Sequence, residues 1–160
     1  MTIYGFEGNY SWLSNFYGLG RGPSGPLTAE HLFQAAKTQD MNERNYVLSA
    51  PTPKEAKARG KGVTLRPDWS MYRIEAMEHV LRYKFEDPEL RGKLVGTGDT
   101  ELVEANWWND TYWGVNHQTG QGHNMLGKLL MKLRDEFQQN AEAEHEHEYS
   151  TQQQEGRESV

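Results

Sequence analysis

One short segment places a carboxylate, an amide and an amine along the same side of a predicted helix. Glu30, Gln34 and Lys37 stand at positions i, i+4 and i+7 within residues 29–37. Residues at this spacing lie on one face of an α-helix. A carboxylate close to an amine can carry out acid–base or nucleophilic chemistry. The same face could instead be solvated, in which case Glu30 would only favour the helix dipole, by about 0.3–1 kcal/mol.

A second segment, residues 106–115, interleaves aromatic rings with polar side chains. It contains Trp107, Trp108 and Trp113 together with Asp110. Flat rings of this kind form a wall on which a base can stack, an interaction worth about 1–3 kcal/mol per base. Asp110 could then accept hydrogen bonds from the base or from a ribose hydroxyl. The alternative is a structural cluster whose indole N–H groups bind loop carbonyls, and the segment alone leaves both interpretations open.

Two further segments are candidates for binding an anion. Asn124 follows a glycine-rich stretch at the predicted start of the last helix, where free backbone N–H groups attract anions. A simple helix cap after a glycine turn would give the same pattern. Arg66 and Arg73 flank the predicted turn before Trp69, and the forked guanidinium group suits a phosphate. The basic series at residues 54–61 is more typical of a solvated face.

The sequence offers no metal site and no activated serine. It has no cysteine, and its histidines lack the spacing of metal ligands. The sharp strand–serine–helix turn of the serine hydrolases is also absent. We therefore expect neither a metal nor a cofactor.

Helix signals predict the elements that position these side chains. Thr28 is placed to cap the helix that carries Glu30, and Thr52 followed by Pro53 starts another helix that Gly60 ends. Further helices are predicted at 41–49, from 67 to about 85, from 87 to about 96, and from about 124 onward; short strands at 3–6 and 102–105; a turn at 18–26. The fold class indicated is α+β, a single helix-rich domain with a few short strands.

Composition limits the class of protein. The 160 residues fit one domain, with 36% hydrophobic residues, five Trp and eight Tyr. No apolar run reaches the roughly 18 residues that span a bilayer, and no signal-peptide pattern opens the chain. We expect a cytoplasmic protein without a membrane segment, and the sequence leaves its oligomeric state open.

The net charge of −6 lies mostly at one end. Residues 140–160 contain six Glu and one Arg, which leaves a net charge of −1 for residues 1–139. The main part of the chain therefore lacks the broad basic surface typical of DNA-binding proteins. The last 21 residues have almost no apolar side chains, so we predict a domain at 1–139 followed by a disordered acidic tail at 140–160.

Taken together, these segments resemble the NADAR family, also called YbiA-like. The matching segments are YSWLSNFY at 10–17, AEHLFQAAK at 29–37, SAPTPKEAK at 49–57, LRPDW at 65–69, LVGTGD at 94–99, WGV at 113–115 and NMLG at 124–127. They occur in order over nearly all of residues 1–139, which makes the match far more specific than any single motif. The tail lies outside the resemblance.

The resemblance implies a compact, helix-rich α+β fold and an enzyme that hydrolyses N-glycosidic bonds. Substrates implied by the family are ribosylamino-pyrimidine phosphates of early riboflavin synthesis, ADP-ribosylated guanine in nucleic acid, and NAD or ADP-ribose. The partner expected is thus a small ribosylated molecule or an ADP-ribosylated nucleic acid.

The resemblance also implies roles for the candidate residues. Glu30 would stabilise the sugar cation and activate water, while Lys37 would either protonate the leaving group or attack the sugar as an amine. The substrate-binding set would comprise Asn15, Phe16, Gln34, Arg66, Trp69, Trp107, Trp108, Asp110, Trp113, Gly114 and Asn124.

Two other functions use the same residues differently. A non-catalytic module would bind ADP-ribose or a nucleotide on the same aromatic wall without cleaving it. A structural protein would use its acidic tail to bind a partner.

Overall fold

The computed structural model describes residues 1–20 and 27–158. Most of the turn predicted at residues 18–26 therefore lies outside the described residues. The helices are α1 (Ala29–Ala35), α2 (Met41–Leu48), α3 (Pro53–Gly60), α4 (Trp69–Lys84), α5 (Pro88–Gly96) and α6 (Met125–Glu158). A 3₁₀ helix spans Gly8–Leu13, between the first strand and α1.

Two small parallel sheets complete the domain. Strand β1 (Thr2–Tyr4) pairs with β2 (Glu101–Val103), with Ile3 opposite Leu102. Strand β3 (Ala105–Asn106) pairs with β4 (Val115–Asn116). The expectation of a helix-rich α+β domain with a few short strands is confirmed.

The core forms where α4 and α6 pack against the first strand pair and α1. Met77, Leu81 and Phe85, spaced for one face of α4, are buried with Leu130 of α6 and Phe33 of α1. The predicted apolar faces of both long helices are thus present. One member differs, because Met71 lies at the start of α4 and is 85% exposed.

Polar contacts of Thr28 and His31 fix the position of the start of α1. Thr28 caps the helix, and its hydroxyl lies 2.8 Å from His31 Nδ1, while the other ring nitrogen of His31 lies 2.8 Å from the Ala50 carbonyl. His31 is buried. The predicted cap is present, and His31 joins α1 to the loop before α3.

Gly60 allows α3 to approach α1 closely. It is the last residue of α3, where a helix end was predicted. A Cβ atom at this position would lie 2.8 Å from Cδ of Gln34, which is too close for any side chain. Glycine is therefore required here by the contact between α1 and α3. The sequence signal for a helix end did not indicate this reason.

The structure describes the segment predicted to be a tail as a continuation of the last helix, and its disorder stays a prediction. Helix α6 continues through residues 140–158, and the side chains at 139–157 are exposed. Glu, Ala, Gln and Arg are good helix formers, and they extend a helix that is already nucleated by buried residues. No helix in the described part of the chain is both long and apolar enough to cross a membrane.

Candidate active site

A cavity of about 330 Å³ opens between α1, α4 and the loops that flank β3. Small-molecule sites begin at about this size. Its lining residues are Ser14, Asn15, Phe16, Glu30, Phe33, Gln34, Lys37, Lys57, Trp69, Arg73, Met77, Glu104, Trp108, Asp110, Trp113 and Leu126. The cavity therefore contains three carboxylates, three cationic side chains and several aromatic rings.

The polar face of α1 lines this cavity. Glu30 is only 8% exposed, and Gln34 Nε2 donates to its Oε1 at 2.7 Å. Lys37 lies just beyond the helix end and is partly buried. The structure thus places Glu30, Gln34 and Lys37 in one enclosed site rather than on a solvated surface.

Burial shifts the pKa values of Glu30 and Lys37 towards each other. Desolvation raises the pKa of Glu30, while the hydrogen bond from Gln34 and the charges of Lys57 and Lys37 act in the opposite direction. Desolvation also lowers the pKa of Lys37, and the charge of Glu30 partly compensates for it. A carboxylate and an amine in this setting are suited to proton transfer.

Glu104 is a third acidic group in the cavity, and the sequence analysis missed it. It connects β2 to β3, and its Oε2 accepts a hydrogen bond from Asn106 Nδ2 at 2.8 Å. Burial, with smaller contributions from the charges of Asp110 and Glu30, raises the pKa of Glu104 to about 7. A carboxyl group with this pKa can donate a proton at neutral pH.

Gly114 and Asn124 support Glu104 and do not line the cavity themselves. A Cβ atom on Gly114 would overlap the carboxylate and the carbonyl of Glu104. Asn124 Oδ1 accepts from the backbone N–H of Glu104 at 2.9 Å, and Asn124 Nδ2 donates to the Leu102 carbonyl at 2.9 Å. The structure therefore gives Asn124 a contact inside the fold where the sequence analysis considered an anion site.

Aromatic rings form the walls of the cavity. Phe33 packs between Trp69 and Trp113, with ring centroids 5.3 and 5.2 Å away. Trp108 stands at the rim, 61% exposed, and Phe16 is 43% exposed. This arrangement gives a wall that is partly buried and two exposed rings that could cover a flat ligand.

Two further predicted binding residues, besides Gly114 and Asn124, lie outside the lining. Trp107 stacks on the ring of His117, with ring centroids 3.9 Å apart, whereas its neighbour Trp108 lines the cavity. Arg66 is held by Asp68, which its Nε and Nη2 contact at 2.6 and 3.1 Å. Adjacent residues of an extended loop point in different directions, so the sequence could not tell which tryptophan faces the site.

Asp110 and Asn15 line the cavity while also fixing the backbone or the core. Asp110 Oδ1 accepts from the N–H groups of Tyr112 and Trp113 at 3.1 and 3.0 Å, which shapes the aromatic loop. Asn15 Nδ2 lies 3.4 Å from the sulfur of Met77, and its buried Oδ1 has no hydrogen-bond partner in the described part of the chain. The free oxygen of Asn15 is available to a ligand.

Lys57 differs from its expected place on a solvated face. It lines the cavity, with its Nζ 5.7 Å from the centre of the Trp108 ring. Arg73 also lines the cavity and lies over the ring of Tyr112 at 3.7 Å. Among the described residues, no group of three His, Asp or Glu side chains is assembled as a metal site.

Comparison with known proteins shows which family this chain is similar to. The family model described as NADAR domain matches residues 5–138. N-glycosidase YbiA of Escherichia coli (strain K12) is 36% identical over 142 residues, covering 86% of this chain and 88% of that protein. A riboflavin biosynthesis protein of Vibrio vulnificus (strain YJ016) is 36% identical over 146 residues, covering 87% of this chain but only 39% of that longer protein.

The fold is likewise similar to a solved structure. The NMR structure of the E. coli protein YbiA superimposes with a TM-score of 0.73 at 34% sequence identity. The match covers 88% of this chain and 86% of that one.

Proposed function

This chain belongs to the NADAR family, and from that premise we propose that it is a hydrolase that cleaves the N-glycosidic bond of a ribosylated base. The observation that carries the proposal is the gathering of Glu30, Glu104 and Lys37 in one cavity with aromatic walls. The names of the relatives, N-glycosidase and riboflavin biosynthesis protein, support the same reaction class.

Cleavage of such a bond develops positive charge on the anomeric carbon and negative charge on the departing base. A buried carboxylate beside that carbon stabilises the positive charge and can take a proton from the attacking water. In the proposal Glu30 has this role. Desolvation raises the pKa of Glu30, while the hydrogen bond from Gln34 and the charges of Lys57 and Lys37 act in the opposite direction, towards its ionised form.

The departing base needs a proton or a strong hydrogen-bond donor. Glu104 is suited to supply it because its pKa of about 7 keeps a large fraction protonated at neutral pH. The proposal thus divides the two tasks of acid and base between Glu104 and Glu30, as paired carboxyl groups do in acid–base catalysis. Asn106 and the backbone contact from Asn124 hold Glu104 in place.

Lys37 allows two routes. Its pKa is lowered by burial, so the neutral amine is more accessible than in water. The amine could attack the anomeric carbon and form a Schiff base with the opened sugar, or the ammonium could polarise the leaving group. Sodium borohydride separates these routes, because it reduces a Schiff base to a stable adduct on Lys37.

The base itself would stack against the aromatic walls. Trp108 is exposed at the rim and can close over a planar ring, while Trp113 and Trp69 form the inner wall. Asn15 Oδ1 can accept a hydrogen bond from the ligand. We favour a ribosylamino-pyrimidine phosphate of riboflavin synthesis as the substrate, with ADP-ribosylated guanine as the alternative.

A substrate panel tests this function. The full chain is incubated with a ribosylamino-pyrimidine phosphate, ADP-ribosylated guanine in nucleic acid, and NAD, and free base is measured. We expect release from one of the first two. Saturable binding with intact ligand in all three would instead support a non-catalytic module.

Glu30→Gln provides the internal test of mechanism. It removes the charge and keeps the shape, so kcat should fall by at least about 100-fold, as for loss of an acid–base group, while the melting temperature is retained. Glu55→Gln is the matched control, because Glu55 also lies in a first helical turn but is exposed and paired with Arg59. Equal activity of the two variants would remove Glu30 from the mechanism.

A further inference from the structure

The cavity contains an arginine without a counterion. The side chain of Arg73 makes no hydrogen bond or ion pair with any described residue, and its buried Nε is without a partner among them. Its guanidinium carbon, Cζ, lies over the Tyr112 ring, 3.7 Å from the ring centre. Stacking fixes the plane of the group and leaves its N–H edges free.

Arg66, a second arginine near the cavity, differs from Arg73 because it has an acidic partner. It too lies 3.7 Å over a tyrosine ring, that of Tyr72. Its N–H edge, however, is taken by Asp68 in a two-point contact, outside the cavity. The two arginines therefore have the same stacking but opposite pairing, and only Arg73 faces the site.

The helix holds Arg73 in register with the rest of the cavity. Trp69, Arg73 and Met77 follow one another at intervals of four along α4, and all three line the cavity. The other two cations that line the cavity interact with an opposite charge, because the ammonium groups of Lys37 and Lys57 act on the buried carboxylate of Glu30. Arg73 is thus the cavity cation left for an anionic group of the ligand.

We propose that Arg73 is the anchor of a phosphate subsite, which binds the 5′-phosphate of the ribose whose anomeric carbon faces Glu30. This inference rests on the proposed function for the position of the sugar. A phosphate offers the planar fork of arginine two oxygens, and removing the partner of a partly buried guanidinium is unfavourable. The ligand class is a 5′-phosphorylated ribosyl compound, which includes both ribosylamino phosphates and ADP-ribosyl groups.

Binding of ribose 5-phosphate tests the subsite without any need for turnover. Calorimetric titration of the full chain should show binding of ribose 5-phosphate and much weaker binding of ribose. Arg73→Gln should weaken ribose 5-phosphate binding about 10- to 100-fold, the range for a charge-assisted hydrogen bond, and leave ribose unaffected. Arg66→Gln should change the affinity for ribose 5-phosphate and for ribose by no more than about twofold. Arg66 is bound to Asp68 outside the cavity, so its substitution removes no hydrogen bond to the ligand.

Several results would overturn the subsite. They are absence of any preference for ribose 5-phosphate over ribose in the unmodified chain, equal weakening of both ligands by Arg73→Gln, or the same loss in Arg66→Gln. Arg73→Lys is the control for misfolding of Arg73→Gln. It keeps the positive charge, so it should retain part of the preference for ribose 5-phosphate over ribose. Binding of ribose 5-phosphate through Arg73 without release of base from any panel substrate would refute the proposed hydrolysis and keep the subsite.

Discussion

A carboxyl group that stays partly protonated at neutral pH has to be stabilised in its neutral form by its surroundings, and Glu104 shows how this chain does it. The residue lies between two short strands, with the backbone of Gly114 so close that no side chain fits there. Water is thereby excluded from one side of the carboxyl. Asn106 supplies a single hydrogen bond, which is too little to offset the desolvation that raises the pKa of Glu104 to about 7.

The raised pKa of Glu104 predicts opposite effects of one substitution on activity and stability. The folded-state pKa of about 7 lies above the ordinary value of 4.5, so the folded chain binds more protons between these limits. The contribution to stability is therefore full below pH 4.5 and is lost as the pH rises through 7. Glu104→Gln should raise the melting temperature relative to the unmodified chain at pH 8 and much less at pH 5, while turnover falls.

Turnover should depend on pH through the same group. If Glu104 protonates the base, kcat/KM decreases as the pH rises through about 7, and Glu104→Gln loses that limb. Glu101→Gln is the control, because Glu101 is an exposed strand residue three positions earlier. An unchanged alkaline limb in Glu104→Gln would assign the proton to another group.

Single residues also show how far the sequence could predict the site. The spacing of Glu30, Gln34 and Lys37 was sufficient to predict that they lie on one side of α1, because α-helical geometry fixes which residues share a face. The side chains of Trp107 and Trp108 were equivalent in the sequence, yet loop conformation turned one to His117 and the other to the cavity. Glu104 gave no local signal, since its environment is built by residues distant in the chain.

At the scale of the elements, helix signals predicted most of the domain. Thr28 and Thr52 cap α1 and α3 as expected, and α4 and α6 bury the predicted apolar faces. The strands were harder to define because they are two or three residues long and parallel. Such pairs depend on long-range contacts and leave little periodicity in the sequence.

The contact between α1 and α3 gives a prediction for the helix pair. In Gly60→Ala the added methyl group meets Gln34, which must move away and release Glu30. We expect the free energy of unfolding to decrease by about 1–3 kcal/mol and turnover to decrease as well. Chemical denaturation and the base-release assay measure the two effects.

Gly92→Ala is the matched control for that change. Gly92 lies within α5, and a Cβ atom there meets nothing within 4 Å. Alanine should stabilise the helix by about 0.5–1 kcal/mol without affecting turnover. If Gly60→Ala were as stable and active as Gly92→Ala, close contact between α1 and α3 would not be needed for the site.

At the scale of the whole molecule, α6 consists of an anchored part and an exposed part. Leu126, Leu130, Leu133 and Phe137 are buried in the core. Arg134, also buried, donates to the Thr100 carbonyl at 2.6 Å and joins α6 to the segment before β2. Beyond Gln138, which donates to the Gly98 carbonyl at 3.0 Å, the side chains to residue 157 are exposed.

Truncation after residue 139 tests whether the domain ends where α6 leaves the core. The shortened chain keeps every buried residue of α6 and all the cavity residues, so it should retain its turnover and unfold within a few degrees of the full chain. Truncation after residue 128 is the control, because it removes Leu130, Leu133 and Phe137 and should prevent folding. Each truncated chain is compared with the full chain by base release and thermal unfolding. Loss of turnover in the first truncation would mean that the acidic helix acts on the site, and would reopen a partner-binding role for it.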